Sequence, residues 1–235
     1  VHSDERPIGL FDSGVGGLTV LRAVRERFPY EHLIYLGDTA RVPYGTKGAD
    51  TVRAYATNVA RLLIALDCKA LVIACNTASA YAAEAVRAMS PVPVIDVIEP
   101  VAHHLRDHDP SSTIGILGTR GTVQSEAYVR ALRALSPRQS VVQQACPLLV
   151  PLAEEGWLDG TITEAIVATY LAELAEEAQV STLVLGCTHY PLLQPVIERV
   201  ARRLHSSSTR VVNSAEIVAS AVEAALDANG LRRRG

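Results

Sequence analysis

Two short segments share one chemical plan. ALVIACNTASA around Cys75 and TLVLGCTHYPL around Cys187 each run apolar residues into a cysteine that is followed at once by hydroxyl or amide side chains. Apolar runs rich in Val, Ile and Leu read as buried parallel strands, and the polar residues after them suit the start of a helix. A cysteine at such a junction lies near backbone amide donors and the positive end of a helix dipole, which favours thiolate over thiol. Two such thiols, one in each half, point to two equivalent acid/base groups facing one substrate. Cys68 and Cys146 lack this polar frame and read as buried, reduced cysteines.

Other chemistries fit less of the pattern. Cys187 and His189 are both zinc-ligand types, but neither a C-x-x-C nor an H-x-x-x-H pair lies beside them in the sequence, so no metal site is expected. A cysteine hydrolase would use one thiol with a histidine and an acid, leaving the matching frame of Cys75 without a role. The loop DSGVGGL at 12–18 follows a strand and opens a helix, as phosphate loops do. It matches neither G-x-G-x-x-G nor G-x-x-x-x-G-K-[ST], and a tight turn explains its glycines while leaving Asp12 and Ser13 unexplained.

The elements that must position these residues alternate along the whole chain. Strands are expected at 8–12, 32–36, 70–75, 92–97, 113–117, 140–144, 182–187 and 210–213. Amphipathic helical stretches lie at 51–66, 78–89, 125–135, 161–179 and 191–204. This is the pattern of α/β units with mainly parallel sheets flanked by helices. The echo of IGLFDSG at Ile8 by IGILGTR at Ile114, each followed later by its cysteine strand, suggests two similar domains. The first is expected over 1–98 and 210–235, with the last strand and helix returning to it, and the second over 99–209. The active site would then occupy the cleft between them.

Composition narrows the function classes. The chain has 235 residues, 49% of them hydrophobic and 20% charged, ample for buried cores. A formal net charge of −3 gives no basic surplus to suggest a nucleic-acid partner, and Arg232, Arg233 and Arg234 form too short a cluster to change that. No segment approaches the roughly 20 apolar residues of a membrane span. With no signal-peptide pattern at the start, a cytoplasmic protein is expected.

Four motifs in order, FDSGVGGLTV, YLGDTARVPYG, ACNTASA and LGCTHYPLL, make the chain resemble the cofactor-independent glutamate racemases of the aspartate/glutamate racemase superfamily. That resemblance implies L- and D-glutamate as substrates, no cofactor, a homodimer, and a supply of D-glutamate for cell-wall peptidoglycan. It assigns the paired thiols to Cys75 and Cys187, with Cys75 abstracting from D-glutamate and Cys187 from L-glutamate. Asp12 and His189 assist the neighbouring thiols. Asp12, Ser13, Tyr44, Gly45, Asn76, Thr77, Thr188 and His189 bind substrate, and Glu154 is an auxiliary acid, although Glu155 adjoins it. If the cleft fits glutamate, its side-chain carboxylate is expected near Thr119, Gly121 and Thr122. Aspartate racemisation is the nearest alternative; a single-thiol hydrolase and an anion-binding protein lie in other classes.

Overall fold

The computed structural model describes residues 4–233, so Arg234 of the arginine cluster lies outside the described residues. The first half runs β1 (Ile8–Asp12), α1 (Leu18–Arg27), β2 (Leu33–Gly37), α2 (Ala49–Ala65), β3 (Ala70–Ile73), α3 (Asn76–Met89), β4 (Val94–Asp96) and α4 (Glu99–His108). The second runs β5 (Ile114–Gly118), α5 (Arg120–Gln124), α6 (Ala127–Leu135), β6 (Val141–Ala145), α7 (Leu149–Glu154), α8 (Thr161–Glu177), β7 (Thr182–Gly186), α9 (Gln194–Leu204), β8 (Arg210–Val212) and α10 (Ser214–Ala228). Short 3₁₀ turns occupy Tyr44–Thr46 and Tyr190–Leu193.

Each half builds a four-stranded, wholly parallel sheet with the same strand order, β2-β1-β3-β4 and β6-β5-β7-β8. The echoing Ile-Gly segments therefore begin equivalent strands, β1 and β5. Alternation along the strands sorts side chains into three cores. Leu71 and Ile73 face α2 and α3 on one outer side, and Leu183 and Leu185 face α8 and α9 on the other. Ile8, Leu10, Ala70, Val72, Ile114, Ile116 and Val184 all point into a shared central layer.

That central layer corrects the expected domain boundary. The strand at 210–212 does not return to the first sheet; it pairs with β7. The connection 205–209 leaves α9 on the outer face of the second sheet, and five residues span at most roughly 17 Å, too little to cross the central helices. Only the helix after it crosses, and it does so reciprocally. α10 packs against α1 of the first half, while α4 of the first half packs against α6 of the second. The expected helix over 125–135 is present as α6 and begins two residues later, at Ala127, because Glu126 adopts φ 54 and separates it from the short α5.

At the amino ends of the first sheet, Lys69 is fully buried with its Nζ 2.7 Å from Glu31 Oε2 and 2.7 Å from the Asp4 carbonyl. The backbone N–H of Arg233 donates to Glu31 Oε1 at 2.7 Å, so the pair fastens Asp4 and Arg233 beneath the sheet. Removing one partner of a buried pair strands the other charge. Lys69→Met should lower the unfolding free energy in urea by about 3–5 kcal/mol, and Lys69→Met with Glu31→Leu should recover most of it. A loss near zero for the single change would contradict this account.

Candidate active site

Parallel sheets place ligands beyond the carboxyl ends of their strands where strand order reverses, here between β1 and β3 and between β5 and β7. The segments leaving those four strands line one cavity of about 240 Å³ between the halves, smaller than the roughly 300–1,000 Å³ of drug-sized pockets. Ser13 follows β1; Cys75, Asn76 and Thr77 follow β3; Thr119 and Arg120 follow β5; Cys187, Thr188 and His189 follow β7. Tyr44, Gly45 and Glu154 complete the expected lining, together with Val42, Pro43, Thr46, Pro147, Val150 and Pro151.

Three expected residues stand behind the wall rather than in it. Asp12 is buried and accepts hydrogen bonds from the Gly14 N–H at 3.0 Å and the Thr188 hydroxyl at 3.5 Å. Thr122 is fully buried, with its hydroxyl 3.3 Å from that of Thr77 and 3.0 Å from that of Thr119. A side chain at Gly121 would press on Thr77, Tyr81 and the Gly45 carbonyl. These residues form a seam between the halves. Thr77 and Thr119 hydroxyls lie 2.9 Å apart, and Tyr128 donates to Asn76 Oδ1 at 2.7 Å. The Asn76 Nδ2 is buried with no protein partner, a donor left for a ligand.

The glycine loop finds its use in the same seam. A Cβ at Gly16 would come within 2.5 Å of the Thr188 hydroxyl and 2.6 Å of the His189 ring. Glycine lets the first half's backbone lie directly against the second half's active segment, and Thr19 then donates to the Thr188 carbonyl at 3.1 Å. Tyr44 hydroxyl donates to Asp38 at 2.5 Å, and Asp38 is ion-paired with Arg41, which fixes the Tyr44–Thr46 rim.

The two thiols are not equivalent. Cys75 is itself the cap of α3, its sulfur accepting the Ala78 N–H at 3.4 Å, with the Ser13 hydroxyl 3.7 Å away. Cys187 leads into a 3₁₀ turn instead of an α-helix, so it has no helix amino end of its own. Its neighbour is His189, whose Nδ1 lies 3.9 Å from the sulfur and whose Nε2 lies 3.1 Å from Glu154 Oε1. Between the adjoining acids, it is Glu154 that reaches this histidine. Among the described residues no group of three or more His, Cys, Asp or Glu side chains is arranged to hold a metal ion.

A family model described as Asp/Glu/Hydantoin racemase matches residues 18–222. The chain belongs to this family. It is 48% identical over 228 residues to the glutamate racemase of Geobacter metallireducens, covering 97% of this chain and 83% of that protein. Its structure matches a glutamate racemase from Bacillus anthracis with a TM-score of 0.93 at 35% identity, and covers 99% of this chain and 85% of that one. A Francisella tularensis glutamate racemase in complex with D-glutamate matches with a TM-score of 0.91 at 34% identity, with the same coverage. Among the described residues no helix is long and apolar enough to cross a membrane.

For a racemase the protonation state of the thiols matters most, and here the expectation of a thiolate favoured by a helix dipole is overturned. Burial pushes the Cys75 thiol up to about 12, with the Asp12 charge adding to the rise and the Ala78 N–H and Ser13 opposing it. Burial also pushes Cys187 up, opposed by the His189 N–H and reinforced by Cys75, Asp12 and Glu154. Desolvation of a charged sulfur outweighs the few donors at the end of a helix.

The apolar lining residues Val42, Pro147, Val150 and Pro151 and the cation Arg120 were invisible to motif reasoning, because nothing in their local pattern separates them from ordinary loops. Raised thiols are neutral across the physiological range. Alkylation of the ligand-free protein by iodoacetamide should therefore speed up about tenfold per pH unit from neutrality to pH 10 without levelling off. A plateau near the ordinary cysteine value would show that the folded thiols are not raised.

Proposed function

We propose that this chain interconverts L- and D-glutamate by proton transfer at Cα, with Cys75 and Cys187 as the paired acid and base. The observation that carries the reading is that both thiols open on one small buried cavity from opposite halves of the molecule. Racemisation needs a proton removed from one face of a carbon and another delivered to the opposite face. One thiolate takes the α-proton as the other, still a thiol, gives up its own, and the roles reverse for the other enantiomer.

Each wall supplies what its sulfur lacks. The buried thiol state suits the donor. For the acceptor, His189 lies against Cys187 to take its proton, and Glu154 orients the ring. On the other wall the Ala78 N–H and Ser13 hydroxyl favour a Cys75 thiolate. Asp12 works against that thiolate by charge; it contributes by holding the Gly14 and Thr188 segments and by attracting the substrate ammonium. An arriving ammonium also lowers the cost of ionising either sulfur. The Asn76 Nδ2 and the hydroxyls of Thr77 and Thr119 receive carboxylate charge. Fixed donors of this kind are worth about 3–4 kcal/mol each when aimed at charge that grows in the transition state.

In this reading no metal or cofactor takes part, the product D-glutamate supplies peptidoglycan, and the protein acts as a homodimer in the cytoplasm. One observation favours a second reading, since Cys187, His189 and Glu154 stand in the order of a thiol hydrolase triad. Cys75 in the opposite wall would then have no task.

Cys75→Ala and Cys187→Ala should each abolish racemisation while the folded state persists by circular dichroism. In deuterated water the wild type should place solvent deuterium at Cα without releasing any cleavage product. Near-native racemisation by either variant would refute the two-thiol assignment, and a cleavage product would favour the hydrolase. The Thr122→Val change keeps the shape of the seam and removes one hydroxyl, so KM for glutamate should rise about 3- to 10-fold. An unchanged KM would remove Thr122 from substrate binding.

A further inference from the structure

Glutamate carries two carboxylates and one ammonium, so the cavity has to attract a net anion. Its acidic surroundings oppose this, since Glu154 lines it and Asp12 stands directly behind it. Both thiols are held neutral by burial, and neutral threonine and asparagine groups supply direction but no long-range attraction. Apart from the titratable His189, the described lining contains a single cationic side chain, Arg120.

Arg120 stands apart from Arg41, the arginine next to the lining residue Val42. Arg41 is committed to Asp38 and stacks over the Tyr55 ring at 4.6 Å. Among the described residues no hydrogen bond or ion pair engages the guanidinium of Arg120, although Glu154 lines the same cavity. It is exposed at the rim and its charge is felt by Tyr170, whose hydroxyl accepts the Leu148 N–H, which places it on the side of the mouth formed by the start of α7. Its backbone sits between Thr119 and Gly121, so the side chain leaves the chain beside the hydroxyl cluster. A free guanidinium at the mouth of a small cavity is a ready fork for a carboxylate.

We propose that Arg120 captures the side-chain carboxylate of the incoming amino acid at the mouth and delivers it to the Thr77–Thr119 hydroxyls, making the site selective for dicarboxylic amino acids. This rests on the glutamate reading above. Arg120 acts in binding and leaves the proton transfers to the two thiols. Its effect therefore falls on KM and not on kcat, and it is screened by salt.

The test measures racemisation of both glutamate enantiomers by the full chain, at low and high ionic strength, in the wild type and in Arg120→Gln, Arg120→Lys and Arg120→Glu. At low salt Arg120→Gln should raise KM about tenfold with little change in kcat. The salt dependence of kcat/KM should flatten in Arg120→Gln, persist in Arg120→Lys and change sign in Arg120→Glu. A merely structural role would lower kcat or thermal stability and leave the salt dependence alone. Wild-type KM and salt dependence in Arg120→Gln, or the same losses in the Gln and Lys variants with the salt dependence intact, would overturn the proposal. A wild type that fails to racemise glutamate overturns the functional reading and this inference with it; an active wild type beside an unaltered Arg120→Gln removes only the inference.

Discussion

The hydroxyl and amide bridges from the first turn of α3 to the first turns of α5 and α6 hold the two halves together at the cleft, and the rest of the site depends on them. Thr77, Thr119 and Thr122 share hydrogen bonds across the seam, and Tyr128 reaches over to Asn76. Because these groups are short and polar, they join the halves while leaving a gap lined by donors. An apolar seam of the same length would close the gap. Larger residues at Gly16 or Gly45 would force the walls apart, since their Cβ atoms would strike Thr188 and Thr119.

The sulfurs on the two walls of that gap are buried, and burial sets the electrostatics. A sulfur in low dielectric resists ionisation more strongly than the adjacent donors can promote it, so both thiols rest protonated. For a reaction that needs one acid and one base at the same instant, this is a workable starting point: the donor is ready, and only the acceptor must be made. The two halves solve that second problem differently, one with the capped end of α3 and the other with a histidine backed by Glu154. The repeated architecture thus carries an asymmetric chemistry.

The central helical layer makes the two walls one body. α4 and α10 exchange partners between halves, and the side chains from both sheets meet in a single core. Motion of one wall relative to the other must work against that shared packing, which favours small adjustments of the cleft over wide opening.

The eight strands of the described residues were legible in the sequence to within a residue or two, because parallel strands are rich in Val, Ile and Leu and are bounded by polar and turn residues. The paired cysteine frames and the glycine loop were equally plain, since each is a local pattern at a strand end. Local pattern also placed the last strand and the last helix. It could not tell that Arg210–Val212 pairs with β7 while α10 crosses to α1, because sheet partnership depends on which edge is open and how far a connection reaches. Nor could it give Arg120, Val42 and Val150 a place in the cavity, or reveal that Thr122 stands behind Thr119. Above all, the sequence determined where two thiols would be, whereas the tertiary structure decided their ionisation. Burial is summed over groups from both halves, and no neighbouring residues in the chain record it.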